Sequence, residues 1–113
     1  VTNAPILDAN RIAAELERLG TEWADNQAAA SVMEETKPTL LAKIAKEHMA
    51  DGASATKAEL LAKADPVYEQ HVRDMVEAER KAVRAKVRYD TYKIKAELLR
   101  SNASTERALA VLK

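Results

Sequence analysis

The sequence predicts an all-α fold, a long helical hairpin with coiled-coil-like seams that oligomerisation completes. Three features carry that expectation. Aromatic residues are only 4% of the chain, and there are two Gly and three Pro, so a β sandwich or barrel would lack its turn residues and its aromatic or β-branched strands. Ala, Leu, Glu, Lys and Arg dominate, and these are the good helix formers. Apolar residues recur at steps of three and four over long stretches, the period of a helix face. With 113 residues, the chain suits a single helical domain, 1–113, with little room for a buried catalytic cavity.

The first helix is expected over 8–50. Asp8 suits its N-cap, and Leu7 and Ile12 flank the start as a hydrophobic staple. Ile12, Leu16, Leu19 and Trp23 begin a seam that continues through Asn26, Ala30, Met33, Lys37, Leu40 and Ile44, with Trp23, the sole Trp, as its anchor. Gly20 costs about 1 kcal/mol of helix propensity relative to Ala, and Pro38 removes a backbone donor, so a kink or short break is expected near 36–38. Asp51–Gly52 can close the helix in left-handed geometry. Thr56 with Glu59 reads as a capping box for a short helix over 57–64. Asp65–Pro66 then supplies a cap and a first helical residue for a long helix over 66–100. Ser101–Asn102 should loosen it before a final helical segment over 103–112.

Two apolar stripes mark the long helix. Val72, Val76, Val83, Val87, Ile94 and Leu98 repeat at eleven residues, about 3.67 per turn, which predicts a seam that is straight or coils slightly to the right. Glu79 and Asp90 take the third place of that repeat and are expected at its water-facing edge, the alternative being a recurring inter-helix pair with a Lys or Arg. The second stripe, Met75, Ala78, Ala82, Ala85, Tyr89 and Ala96, is built of small side chains that admit a close helix. A hairpin covers one stripe. Other copies of the chain are the economical cover for the second, so a homo-oligomer is expected.

Charge sums to zero but is segregated. Residues 1–79 carry eight Lys/Arg against fifteen Asp/Glu, residues 80–100 carry eight against two, and residues 101–113 carry two against one. A dipolar chain of this kind suits either a polyanion at its basic end or acidic-to-basic contact within and between subunits. Arg73, Arg80, Arg84, Arg88 and Lys95 form a ladder along one side of the long helix, with Lys81 and Tyr92 at its border. The rungs are about 6–10 Å apart at 1.5 Å rise, comparable to phosphate separations. Together with Lys86, and with the rings of Tyr89 and Tyr92 for unpaired bases, these are the candidate nucleic-acid contacts, single-stranded DNA being the partner such a combination suits. A solvated helix side held by local charge pairs such as Glu77–Lys81 explains the same residues.

Catalytic chemistry finds no support. His48 and His71 lack the Glu-x-x-His spacing of bundle metal sites, Ala45 and Tyr68 standing three residues earlier. Two isolated Gly cannot build a phosphate-cradling loop, and no His is placed to activate a Ser or Thr. No enzyme activity, metal or cofactor is expected. With no Cys, no disulfide framework or thiolate zinc site is possible. Apolar runs are too short to span a bilayer, which predicts a soluble protein.

The run ERKAVRAKVRYDTYKIKAELLRSNASTERA, residues 79–108, resembles the C-terminal part of small all-helical proteins encoded by bacteriophages and prophages. Its basic KAVRAKVRY helix is also similar to that of recombination mediators of the UvsY type, which load recombinase on single-stranded DNA. The resemblance implies contact of Arg84, Lys86, Arg88 and Tyr89 with the DNA backbone, a role in phage DNA recombination or replication, and a place in the cytoplasm of a bacterial host. The alternative is a structural or adaptor protein whose helices serve homo-oligomerisation and contact with a protein partner.

Overall fold

The computed structural model describes residues 8–112 and is all-α. Three helices follow in order, α1 (Ala9–Ala50), α2 (Ala55–Lys63) and α3 (Pro66–Leu112), with no strand among the described residues. They form two compact units. Among the described residues the first takes 8–24 and 83–112, and the second takes 25–82.

The caps follow from side-chain chemistry. Asp8 accepts from the amides of Asn10 at 2.9 Å and Arg11 at 3.4 Å, so a carboxylate satisfies donors that the first turn of α1 leaves orphaned. The Leu7 half of the staple lies outside the described residues. Past Ala50 the chain turns in a Schellman motif, the Gly52 amide donating to the Met49 carbonyl at 3.0 Å and the Ala53 amide to the His48 carbonyl at 3.1 Å. Gly52 sits at φ 101°, a conformation that only Gly adopts without strain. The cap of α2 is Ser54 and not Thr56. Ser54 is extended and its hydroxyl accepts from the Lys57 amide at 3.2 Å. The helix therefore starts two residues before the expected 57. Thr56 falls inside the first turn, and Glu59 pairs instead with Lys63 at 3.4 Å. Asp65 caps α3, accepting from the Val67 amide at 2.8 Å.

Neither α1 nor α3 breaks where a break is one of the expectations. The helix α1 passes Pro38 unbroken; the carbonyl that Pro38 leaves without its amide donor is that of Glu34, and the extra donors nearby fall on carbonyls one and two residues earlier. The Thr36 hydroxyl donates to the Val32 carbonyl at 2.9 Å and the Met33 carbonyl at 3.2 Å, and His71 Nε2 lies 2.8 Å from the same Met33 oxygen. A carbonyl only accepts, so His71 donates from Nε2. The helix α3 likewise runs through Ser101–Asn102 to Leu112 as one element rather than as 66–100 and 103–112. Ser and Asn cost only about half a kcal/mol each in a helix interior. The hydroxyl of Thr105 also donates back to the Ser101 carbonyl at 3.0 Å.

Within each unit the segments of α1 and α3 run antiparallel. In the first, Gly20 and Trp23 meet Tyr89 while the earlier Ile12 borders a groove with the later Ala96 and Leu99. In the second, Met33 meets His71 while the later Leu40 borders a groove with the earlier Pro66 and Val67. Every seam position of α1 is covered, fully at Leu19, Ala30 and Ile44 and partly at Ile12, Leu16, Trp23, Asn26, Met33, Lys37 and Leu40. Facing them on α3 is the small-residue stripe. Met75 and Ala82 are buried in the second unit, Ala85 is buried in the first, and Ala78, Tyr89 and Ala96 are partly covered. Small side chains win this face because they let the two backbones approach closely.

Candidate interaction surface

The eleven-residue stripe faces away from that seam. In the first unit Val83, Val87, Ile94 and Leu98 are each 57–61% exposed. At about 100° per residue their mean direction lies roughly opposite that of Ala85, Tyr89, Tyr92 and Ala96, the residues turned toward α1. In the second unit Val76 is exposed and Val72 is half-covered. The stripe is thus a solvent-facing apolar strip rather than part of the hairpin core. Asp90, at its edge, pairs through Oδ2 with Lys86 Nζ at 3.5 Å, while Glu79 is exposed.

The candidate cations divide by environment. In the second unit Arg73 donates to the Gln70 side-chain oxygen at 3.1 Å and Arg80 pairs with Glu77 at 3.5 Å. Lys81 is exposed, and the expected Glu77–Lys81 pair gives way to Glu77–Arg80. In the first unit Arg88 pairs with Glu22 of α1, a carboxylate that Arg18 also approaches at 3.7 Å. Lys86 Nζ sits 5.7 Å from the Trp23 ring centroid, within cation–π reach. Arg84 and Lys95 are exposed and hold no ion pair among the described residues.

The tyrosines are packing residues here. The Tyr89 ring stands 5.6 Å from Trp23, centroid to centroid, at an interplanar angle of 39°. A Cβ built on Gly20 would lie 3.3 Å from Tyr89 Cε1. Gly20 is therefore where α1 admits the ring against its backbone, which accounts for a helix-weakening residue in mid-helix. Tyr92 is half-covered and borders two shallow grooves with Glu15 and Lys95. Sequence reasoning missed three roles. Glu22 as the Arg88 partner carries no signal within either helix, the two standing 66 residues apart. The Gly20 seat is signalled only by the oddity of Gly in a helical run. The His71 contact follows from its place in the rhythm of Tyr68, His71, Met75 and Ala78, which continues the inner face.

Among the described residues, no group of three or more His, Cys, Asp or Glu is arranged to hold a metal ion, and no helix is long and apolar enough to cross a membrane. No protein-family model matches the chain, and no curated protein or solved structure matches it.

Proposed function

We propose that this chain is a non-enzymatic structural or adaptor protein that works by self-association, with the outer face of α3 as its contact surface. One observation carries the reading. Four large aliphatic side chains, Val83, Val87, Ile94 and Leu98, line one side of a helix whose other side is already covered, and all are more than half exposed. Burying such a side chain completely is worth about 1.5–3 kcal/mol. Four from each subunit weigh against an association cost of about 4–15 kcal/mol, so contact along the whole strip is favourable where contact at one residue is not. Sedimentation velocity across a concentration series should reveal species heavier than the 12.4 kDa chain. Val87→Glu should return the protein to monomer with its helical circular dichroism intact, because that side chain is exposed within the subunit. A parent protein that stays monomeric at high concentration would refute the reading.

A nucleic-acid reading is favoured by a different observation, the exposed Lys81, Arg84 and Lys95 without ion-pair partners among the described residues. In this reading the chain is a phage-type accessory protein in the host cytoplasm that meets single-stranded nucleic acid through phosphate contacts. Tyr89 is committed to Trp23, so its ring does not serve base stacking. Binding of a labelled oligonucleotide should weaken steeply with salt, and each phosphate-contacting cation removed should lower the salt slope by about one. Absence of any shift at low salt would end it.

A further inference from the structure

We infer that the partner of the outer face of α3 is α3 of a second copy, lying parallel and in register, with the charge pattern at the edges of the strip setting that direction. The inference rests on the self-association proposed above and adds its geometry.

The strip has unlike edges. With its centre taken along the mean of Val83, Val87, Ile94 and Leu98, Asp90 and Glu97 lie roughly 50–70° to one side, with Lys86, the cation paired to Asp90, roughly 90° out on that side, and Arg84 and Lys95 lie roughly 70–90° to the other, where no acid of residues 83–98 stands, at about 100° per residue. Both edges repeat with the apolar pattern in sequence. Glu79 precedes Asp90 by eleven residues, Arg84 precedes Lys95 by eleven, and each base follows an acid by five.

Symmetry converts unlike edges into a direction. When two copies are related by a two-fold axis along the helices, the acidic edge of one copy meets the basic edge of the other. When the axis is perpendicular to the helices, each edge meets its own kind and like charges oppose. The offset of five points the same way. Five residues separate acid and base by about 7.5 Å along the axis, a stagger that the side chains of two facing parallel copies can span. Asp90 of one copy is thereby brought to Lys95 of the other, and by symmetry the reverse.

The groups required are available. Arg84 and Lys95 have no ion pair of their own among the described residues. Asp90 uses Oδ2 for Lys86 within its own helix, which leaves Oδ1 for a second cation. Arg88, further round the basic side, is held by Glu22 and takes no part. The α1 segment packs on the opposite side of α3 and does not obstruct the strip. An eleven-residue repeat at about 3.67 residues per turn also keeps the strip nearly straight, so that two copies stay in contact over its length.

The absence of Cys makes the test direct. In parallel, in-register pairs residue 87 meets 87 and residue 94 meets 94. In an antiparallel pair centred on the same strip, residue 87 meets 94. Val87→Cys and Ile94→Cys, one carrying a size tag, should each cross-link with itself on oxidation and give little mixed product. Preferential formation of the 87–94 product, or no cross-link in samples that sedimentation shows to be assembled, would overturn the parallel geometry while leaving self-association intact. A monomer in sedimentation would remove both. Lys95→Glu should raise the dimer dissociation constant about three- to tenfold, and adding Asp90→Lys should restore most of the loss. Equal weakening in the double variant would count against the edge pairing.

Discussion

Leucine in place of Ala85 should destabilise the fold by about 2–3 kcal/mol, the upper range for overpacking a tight core. The melting temperature should fall by about 10 °C or more. Ala85 is 1% exposed and belongs to the face of α3 on which Tyr89 reaches α1. A γ-branched side chain there has no open volume to enter, so it must push the helices apart or leave its rotamer well. The contrast is Val83→Leu, two residues away on the outer face, where, at a concentration low enough to keep the chain monomeric, an added methylene meets solvent and the change should stay within about 0.5 kcal/mol. Both variants are compared with the parent at one protein concentration, because self-association would make each melting temperature depend on it. If Ala85→Leu melted with the parent, the small-residue stripe would not be the seam.

The helical class and the two stripes of α3 were legible because each rests on a period. The α1 seam from Ile12 to Ile44 follows steps of three and four, and every position that the period selects is covered. Caps were legible where one residue type has one use. Asp8 and Asp65 accept amides, and Gly52 takes a positive φ. Competition between similar residues was not legible. Ser54 and Thr56 both suit a cap, and the choice falls to Ser54, whose extended backbone aims its hydroxyl at the Lys57 amide. Pro38 does not break α1, because the loss of one donor is a local cost, whereas the seam on either side of it is covered residue by residue. Which stripe turns inward was likewise hidden. Large valines look more like a core than alanines do, but the nearness of two backbones, seated by Gly20 against Tyr89, is settled by the smallest side chains. The partners of the basic ladder were out of reach for another reason. The Arg88–Glu22 pair joins residues 66 apart in sequence, and no spacing rule along one helix finds it.

Tyr89→Ala should cost about 2–4 kcal/mol, since it removes a large side chain that packs across the hairpin and opens a cavity over Gly20. Trp23 is the sole Trp and stands against that ring, so its fluorescence should shift to the red as water replaces the tyrosine. A cycle with Trp23→Ala should give a coupling of about 0.5–1.5 kcal/mol. A coupling near zero would mean that each ring packs independently. Gly20 supplies the sharper half of the test. In the Tyr89→Ala background, Gly20→Ala should stabilise the protein by about 1 kcal/mol, the ordinary helix-propensity gain. With Tyr89 present, the added Cβ would lie 3.3 Å from Cε1, and the ring, backed by Trp23, has to yield by a few tenths of an ångström, so the gain should shrink or reverse. The same substitution therefore reads differently in the two backgrounds. Equal gains in both would show that the Gly at position 20 is not there to seat the ring, and the close approach of α1 and α3 would need another cause.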